Sequence, residues 1–366
     1  MSSDDLIADL VADFPPVSAA FAYGSAMFGQ RGYTDEQQRN AMLDLVFVVD
    51  DAASWHQSNL ETHGAHYSGV SRYVLGSSGV ARLQEDVGAG IYYNHAEVRG
   101  RLIKYGVISR AAFDDDLQHW TSLYVSGRFH KPVQTLKPLP AGIDVVMAQN
   151  VRAAVSSSLL LLPQQFDASR FLDVVCGLSY GGDVRMGVGE SYLKPLNIAA
   201  GQRELLVKMY AAPLADAVGR GHDGQGFARR LLRGGEHDLI TQETSWAARE
   251  AQLTSLPSNL QRTLLSQLSA SGVGAETGSG GGAPRKLHAR LLGAASEVWA
   301  NAHTEDAANQ ELRTAMRRSL SRIVRRSSLA QTVKGIVTAG ATTSVMYAIK
   351  KMRKRSQVDA HGAGSS

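Results

Sequence analysis

The chain has 366 residues and a formal net charge of +4, with 44% hydrophobic and 20% charged residues, a composition typical of a globular protein with room for two domains. Its single cysteine, Cys176, excludes an internal disulfide framework and any zinc site built from several thiolates. No run of about 18 apolar residues predicts a transmembrane helix, and the acids Asp4, Asp5 and Asp9 are atypical of a secretory signal or mitochondrial presequence.

The charge is unevenly distributed along the chain. Residues 286–355 contain 14 Lys and Arg against 4 Asp and Glu, a net +10, which leaves −6 for the remainder. A basic segment on a mildly acidic body indicates an anionic partner surface, which could be a membrane, a nucleic acid or an acidic protein.

The first part of the chain alternates helix and strand patterns. The first elements are a helix over 4–14, a strand in "AAFAYGS", a strand over 42–49, and a short helix and loop in "ASWHQSNLETHGAHYSGV". A helical stretch over 69–86, interrupted by Gly76 and Gly79, and the β segments "GIYYNHAEV" and "RLIKYGVIS" follow. The last elements are a helix over 110–120 and, in "SLYVSGRFHKPVQTLKPLP", a helix or strand that ends in a crossover containing several prolines.

The second part is predicted to be mainly helical. Helices are expected over 143–162, 167–178, 202–218 and 243–269, with the Gly-rich stretch "SYGGDVRMGVGES" between the second and third. The stretch "GVGAETGSGGGAP" has the composition of a flexible linker, and a long helical tail follows it.

A Gly-Ser turn and an acid-bearing strand form the most informative pattern. Gly24 allows a backbone to approach phosphate closely and Ser25 adds a hydroxyl donor. Asp44 lies within the apolar strand over 42–49, where a carboxylate is costly unless a cation or hydrogen-bond donors meet it. This succession is typical of nucleotidyltransferases, although a Gly-Ser pair alone could be a plain turn.

The acid pattern departs from that of polymerase-β-type enzymes. These usually carry a second acid two residues after the first, whereas this chain has Val46 there. Because two-metal chemistry uses several carboxylates, a partner acid is expected elsewhere, and Asp183 in "GGDVRMG" is the candidate. The alternative for Asp183 is a turn residue that bonds its own backbone.

Cations and histidines supply further candidates. Lys104, Arg128, Lys131 and Arg185 interrupt apolar or Gly- and Pro-rich stretches, where binding of phosphate would account for them; ordinary solvated side chains are the alternative. The histidines of "WHQSNLETHGAHYS" lack the spacing of a zinc site and suit polar contacts to substrate or backbone.

The order of these motifs resembles the mitochondrial phosphatidate cytidylyltransferases, the translocator assembly and maintenance family. The resemblance covers roughly residues 20–200 and is carried by "YGSAMFGQ", "MLDLVFVVDD", "WHQSNLETHGAHYS", "IYYNHAEVRGRLIKYGVIS", "LYVSGRFHKPVQTL" and "LSYGGDVRMGVGE". The single acid on the motif strand agrees with this family. The resemblance implies a CTP:phosphatidate cytidylyltransferase that makes CDP-diacylglycerol for cardiolipin synthesis on the matrix side of the mitochondrial inner membrane.

The resemblance also implies an α/β architecture with magnesium as cofactor. The expected divisions are a polymerase-β-like nucleotidyltransferase domain over 1–140, a helical, winged-helix-like domain over 141–271 that contributes Asp183, a linker over 272–285 and a basic amphipathic membrane-binding region over 286–355.

The resemblance assigns roles to individual residues. The expected magnesium ligands are Asp44 and Asp183, and Lys131 joins them as a catalytic residue in contact with phosphate. The expected CTP- and phosphate-binding residues are Gly24, Ser25, His66, Tyr67, Lys104 and Arg185.

The basic tail has the pattern of an amphipathic helix. Leu312, Met316, Leu320 and Ile323 recur at steps of three or four. The cations Arg317, Arg318, Arg322, Arg325 and Arg326 fill much of the other face, and Lys350, Lys351, Arg353, Lys354 and Arg355 follow further on. Such a helix is expected to lie on anionic lipid; the alternative is a helix packed on the body with a solvated charged face.

Two other functions remain open. A nucleotidyltransferase with RNA or a small alcohol as acceptor would also carry this turn and acid, although the tail lacks the aromatic side chains of a stacking platform, and no nucleic acid is expected as partner. A non-enzymatic maintenance factor for inner-membrane protein import would bind membranes but would not depend on Asp44.

Overall fold

The computed structural model describes residues 9–28, 41–186, 191–218, 239–270 and 284–339, and the isolated positions Ile7, Ala228, Leu231 and Leu232. The predicted linker up to residue 283 and the cations from Lys350 to Arg355 lie outside the described residues.

A five-stranded mixed sheet forms the centre of the first part of the chain. Its strands are β1 (Ala19–Tyr23), β2 (Leu43–Val49), β3 (Ile91–Val98), β4 (Arg101–Ser109) and β5 (Gln134–Thr135). Their order is β3-β4-β2-β1-β5. Strand β2 runs parallel to β4, and the other neighbours are antiparallel.

The buried strand β2 alternates its side chains between two cores. Leu43, Leu45 and Phe47 join a cluster with the N-terminal segment and Trp55, whereas Val46 and Val48 face Phe21, Phe113 and Phe129 on the other side. This period of two places Asp44 on the same face as Val46 and Val48.

Helices cover the sheet and connect its strands. They are α1 (Ala52–His63), α2 (Gly76–Asp86) and α3 (Arg110–His119), with one turn of 3-10 helix over Gly64–His66 and one of π-helix over Ser71–Leu75. The predicted helical stretch over 69–86 therefore changes its geometry at Gly76, while Gly79 lies within α2.

The second part of the chain is helical with one small two-stranded sheet. Its helices are α4 (Ile143–Leu161), α5 (Ala168–Gly177), α6 (Lys194–Gly201), α7 (Arg203–Val218), α8 (Trp246–Thr254) and α9 (Ser258–Ala270), and strands β6 (Gln165–Phe166) and β7 (Ile240–Thr241) pair with each other. The single helix expected over 243–269 is two helices, because the chain turns before Pro257.

The tail forms α10 (Pro284–Asn301) and α11 (Glu305–Ala339). The apolar positions Leu312, Met316, Leu320 and Ile323 are buried in the same core as α4, α5 and α7. The expectation that this apolar face lies on lipid is thereby corrected, since it packs on the body. Burial of these side chains stabilises the fold by roughly 1.5–3 kcal/mol each.

The predicted α/β class is confirmed as a mixed α/β fold. None of the described helices combines the length and the hydropathy needed to cross a membrane. The arginines of α11 at 317, 318, 322, 325 and 326 are exposed.

Candidate active site

Charged and aromatic side chains meet on one face of the sheet, where β2 begins. In the strand register Asp44 lies between Tyr23 on β1 and Lys104 on β4, and Lys104 pairs with His95 on β3. Side chains at register partners share a face, so these four residues lie in a row across the sheet. His95 was not identified from the sequence.

The Gly24 turn closes over this row directly. Gly24 has φ +84°, and a Cβ atom there would lie 2.9 Å from Asp44 Oδ2. The amides of Met27 and Phe28 donate to Gly24 O at 3.1 and 3.0 Å and shape the turn. The Gly-Ser turn and Asp44 thus lie side by side, and a glycine is required where they meet.

Lys104 forms an ion pair with Asp44. Its Nζ lies 3.6 Å from Asp44 Oδ1 and 4.3 Å from the centroid of the Tyr93 ring. The side chains of Lys104 and Asp44 are 21% and 28% exposed, so both can be reached from solvent. This ion pair explains how a carboxylate is tolerated in strand β2.

An arginine–tyrosine cluster, formed by Tyr23, Tyr93, Tyr124 and Arg128, lies beside the row. The Arg128 Cζ atom is 4.0, 5.6 and 5.8 Å from the ring centroids of Tyr124, Tyr23 and Tyr93. Its Nε donates to the Tyr23 hydroxyl at 3.3 Å. Aromatic faces stabilise a partly buried cation. The sequence identified Arg128 but none of the three tyrosines.

The three tyrosines of this cluster differ in their electrostatics: burial raises the pKa of Tyr23 and Tyr93, whereas positive charge prevails at Tyr124. Burial by itself raises the pKa of the Tyr124 phenol, but the charges of the neighbouring arginines and Lys104 outweigh burial and lower that pKa below its ordinary value. A phenol that is driven toward its anion reports a strongly positive local potential. The same potential favours binding of a polyanion.

Arg185 brings the Gly-rich loop to this cluster. Its Cζ lies 5.7 Å from the Tyr124 ring centroid. Its Nε and one terminal nitrogen donate to the Asp183 oxygens Oδ1 and Oδ2 at 3.0 and 2.6 Å, and its backbone amide donates to Asp183 Oδ1 at 2.9 Å. Asp183 therefore orients Arg185, and both carboxylate oxygens already accept hydrogen bonds.

Helix α11 supports this loop from behind. A Cβ on Gly182, which has φ +88°, would lie 2.9 Å from Ser321 Cα, and the Val184 amide donates to Ser328 Oγ at 3.3 Å. The tail that the sequence assigns to membrane contact thus also fixes the loop that carries Asp183 and Arg185.

Lys131 lies buried next to the cluster. Its Nζ donates to Gly127 O at 2.5 Å and to Ser179 Oγ at 2.8 Å, and it sits 4.8 Å from the Tyr180 ring centroid. Burial lowers its pKa to about 7. These contacts join the segments that carry Arg128 and Arg185, which makes Lys131 a positioning residue rather than a group facing solvent.

His66 and Tyr67 lie across the sheet from Asp44. His66 Nδ1 is 3.0 Å from the Tyr105 hydroxyl, and the Tyr67 hydroxyl accepts from Asn59 Nδ2 at 2.9 Å. Tyr105 follows Lys104 in β4 and so points to the opposite face. The predicted nucleotide contacts of His66 and Tyr67 are therefore corrected: the half-buried His66 and the buried Tyr67 belong to a polar network on the opposite face of the sheet.

Asp116 is a site-supporting residue that the sequence analysis missed. Its buried carboxylate accepts hydrogen bonds from Ser122 Oγ and from the amides of Ser122, Leu123, Val125 and Ser126, at 2.7–2.9 Å. These bonds fix the segment that presents Tyr124 and Arg128. Nothing in the local sequence separates Asp116 from its neighbours Asp114 and Asp115, except its helical spacing from the buried Phe113.

Asp44 is the carboxylate of this row that a magnesium ion could reach from solvent. Within the described ranges, no group of three or more His, Cys, Asp or Glu side chains could hold a metal ion. Asp44 is partly exposed and carries hard oxygen ligands, which suits a magnesium ion that takes its other ligands from phosphate and water. Asp183 does not fit as a second ligand while Arg185 occupies both its oxygens.

The chain matches a known family over nearly its whole length. The family model described as "Phosphatidate cytidylyltransferase, mitochondrial" matches residues 7–354. Relatives with the same name include one from Xenopus laevis, 34% identical over 351 residues (94% of this chain and 93% of the relative). Relatives from Mus musculus (34% identical; 94% and 93% covered) and Caenorhabditis elegans (33% identical; 92% and 94% covered) are similar. The chain therefore belongs to the mitochondrial phosphatidate cytidylyltransferase family.

Proposed function

We propose that this protein is a CTP:phosphatidate cytidylyltransferase that makes CDP-diacylglycerol and pyrophosphate. Relatives that align with more than nine-tenths of the chain are named phosphatidate cytidylyltransferase. Within the site, the proposal is supported mainly by the contact between the Gly24 turn and Asp44. The cations Lys104, Arg128 and Arg185 lie on the same side.

The main requirement of this reaction is neutralisation of the negative charge on phosphatidate and CTP. Phosphatidate is a phosphomonoester with a second pKa of about 6, so its oxygen is already a nucleophile near neutral pH. That oxygen forms a bond to the α-phosphorus of CTP while the bond to the pyrophosphate oxygen breaks, and pyrophosphate leaves with the electron pair. The obstacle is the approach of two polyanions, which fixed cations remove.

The cations near Asp44 supply this neutralisation. Lys104 lies on strand β4 of the sheet, and Arg128 lies on the segment after α3. Arg185 reaches the same side from the Gly-rich loop. An arginine fork binds phosphate oxygens in a defined geometry. Asp183 orients Arg185, and Lys131 holds the two segments together.

Magnesium is the proposed cofactor, with Asp44 as its protein ligand. When bound, the ion would neutralise triphosphate charge and polarise the reacting phosphoryl group. Gly24 lets the turn backbone and the Ser25 hydroxyl approach the same triphosphate. The second predicted ligand, Asp183, is reassigned here to the positioning of Arg185.

The finer fold and location follow the family. We propose that the mixed sheet with its Gly-Ser turn is a polymerase-β-like nucleotidyltransferase core, and that the helical part with the β6–β7 pair is winged-helix-like. Relatives are named mitochondrial, and we propose in addition a peripheral position on the matrix side of the inner membrane and a role in cardiolipin synthesis.

Membrane contact is proposed to rest on charge. Arg317, Arg318, Arg322, Arg325 and Arg326 are exposed on α11, and each basic side chain near an anionic surface contributes about 1 kcal/mol. Replacing all five by Gln should reduce co-flotation with anionic vesicles without lowering Tm, and unchanged flotation would refute this part of the proposal.

A turnover assay tests the proposed function. Purified protein, magnesium, CTP and phosphatidate should yield CDP-diacylglycerol and pyrophosphate in equal amounts, with little product from ATP, GTP or UTP. Nucleotide binding without lipid product would indicate another acceptor, such as RNA or a small alcohol. Absence of nucleotide binding would favour the import-maintenance function.

A further inference from the structure

A basic pocket lies away from Asp44. It has a volume of about 290 Å³ and opens between α11, α9 and the turn after α3. Its lining includes Arg322 and Arg326, together with the polar side chains Thr121, Ser122, Asn259 and Thr263. Nothing in the proposed reaction uses this pocket.

The pocket lies at the other end of the sheet from Asp44. Gly88, which also lines it, precedes the first residue of β3, Ile91, whereas His95 in the same strand faces Lys104. At about 3.3 Å per residue, the four steps from Ile91 to His95 span roughly 13 Å. The pocket and the Asp44 site are therefore separate binding places.

The two arginines are available for a ligand. They are one helical turn apart and point the same way. Neither makes an ion pair or a hydrogen bond with another of the residues that the structure describes. The described lining contains no carboxylate, although the Thr121 hydroxyl donates to Asp115 at its edge. Two guanidinium groups in a concave polar setting attract an anion, and phosphate matches their geometry.

The neutral polar groups of the lining are already satisfied. Ser122 Oγ donates to Asp116, Thr263 Oγ1 donates to Asn259 O, and Asn259 Nδ2 donates to Trp120 O. Among the side chains of the described lining, the hydrogen-bond donors left for a ligand are therefore those of the guanidinium groups, which select for charge.

The walls of the pocket are fixed by contacts across the chain. Gln331 Nε2 donates to Ile91 O at 3.0 Å, and Lys334 Nζ donates to Gln84 O at 3.3 Å. These bonds hold α11 against the segment that contains Gly88. A pocket with fixed walls binds without a large ordering cost.

Apolar side chains continue along the same helix stripe. Leu329 and Val333 follow Arg326 at steps of three and four, and both are 53% exposed. A phospholipid would match this order of charged and apolar groups: its phosphate would bind the two arginines, and its acyl chains would lie beside Leu329.

We propose that this pocket is a second anion site that binds the phosphate group of an anionic phospholipid. It goes beyond the proposed reaction and does not depend on it. Arg322 and Arg326 recognise the phosphate group of the ligand. They bind a phosphodiester as well as a phosphomonoester.

Calorimetric binding tests the site with two probes. Dihexanoyl phosphatidylglycerol below its micelle concentration presents a lipid phosphodiester that cannot act as a phosphomonoester acceptor, and inorganic phosphate presents the anion alone. Binding of the lipid probe alone supports the site and identifies a lipid headgroup. Equal binding of both supports a phosphate site but overturns the lipid assignment.

Matched variants locate the binding. Arg322→Gln/Arg326→Gln should weaken binding of dihexanoyl phosphatidylglycerol at least about tenfold, because charge-assisted hydrogen bonds are lost. Arg152→Gln/Lys208→Gln removes the same charge at two exposed positions on α4 and α7, outside the pocket, and should change the affinity less than about twofold. Equal weakening in both variants, or no binding by the wild-type protein, would overturn the proposal; Tm values confirm that each variant is folded.

Discussion

Gly24 and Asp44 lie so close that a Cβ atom on residue 24 would stand 2.9 Å from Asp44 Oδ2. Tyr23 pairs with Asp44 in the antiparallel register of β1 and β2, so the turn that follows β1 starts directly over the carboxylate. This contact places the backbone proposed to hold the triphosphate beside the acid proposed to hold magnesium.

Gly24→Ala should damage catalysis more than stability. The methyl group would displace Asp44, and a misplacement of about 1 Å in a catalytic constellation can cost about 100-fold in rate. The positive φ adds about 1–2 kcal/mol of strain. We expect about 100-fold lower kcat in the turnover assay, with a lowered Tm that still permits folding.

Gly100→Ala is the matched control for backbone strain. Gly100 has φ +76° but nothing within 4 Å of its hypothetical Cβ. It should lower Tm by a similar amount and leave kcat within about twofold. If the Gly100 variant lost as much activity as the Gly24 variant, the contact with Asp44 would not explain the effect.

Asp183→Asn should act through Arg185. The substitution removes the carboxylate that accepts three hydrogen bonds from Arg185. We expect KM for CTP to rise about tenfold, since each charge-assisted bond contributes about 1.5–3 kcal/mol, while the magnesium concentration for half-maximal rate stays unchanged. Arg185→Lys should raise KM similarly. A clearly increased magnesium requirement in the Asp183 variant would restore Asp183 as a metal ligand.

Asp116→Asn should destabilise the segment that carries Tyr124 and Arg128. An amide cannot accept all of the hydrogen bonds that this buried carboxylate accepts, and leaving buried amides unpaired costs about 3 kcal/mol in total. Urea unfolding should show this loss, together with reduced turnover. Asp115→Asn, at an exposed neighbouring position, should remain within about 0.5 kcal/mol of wild type; equal effects at both positions would contradict the role given to Asp116.

Lys131 should make stability depend on pH. Its pKa is lowered by burial from the ordinary value of 10.5 to about 7, so between these values the unfolded chain binds more protons than the folded protein. The free energy of unfolding should therefore rise with pH in this window, by up to about 1.4 kcal/mol per pH unit from this group.

Urea unfolding at several pH values from 7 to 9 measures this contribution. Lys131→Met should show a smaller increase in unfolding free energy over the range, because the titrating group is gone. The same slope in both proteins would mean that Lys131 does not titrate in this window.

The sequence predicted those parts of the fold that depend on local pattern. The nearly continuous apolar run of "LDLVFVV" indicated β2 and the position of Asp44 within it, and the helical spacing over 143–162 anticipated α4 within one residue. The Gly24–Asp44 contact was predictable in kind, because a glycine turn next to an acid-bearing strand is a motif with a mechanism.

The other parts of the fold and of the site could not be predicted, because they depend on tertiary contacts that no local sequence pattern contains. Tyr93 and Tyr124 are 31 positions apart and meet only because β3 and the segment after α3 face each other, with ring centroids 6.5 Å apart. His66 was assigned to the site from its motif, but strand alternation places its partner Tyr105 on the opposite face. The apolar stripe of α11 suits a membrane and a protein core equally well, and only its packing distinguishes them.

The Asp44→Asn variant tests the central claim most directly. Its CDP-diacylglycerol production should be compared with that of wild type and of Asp50→Asn, which alters an exposed acid at the other end of β2 that accepts from Ser18 Oγ at 2.6 Å. The account predicts that Asp44→Asn reduces turnover at least about 1,000-fold with an unchanged Tm, while Asp50→Asn stays within about threefold of wild type. Substantial turnover by a folded Asp44→Asn protein would contradict the assignment of this site.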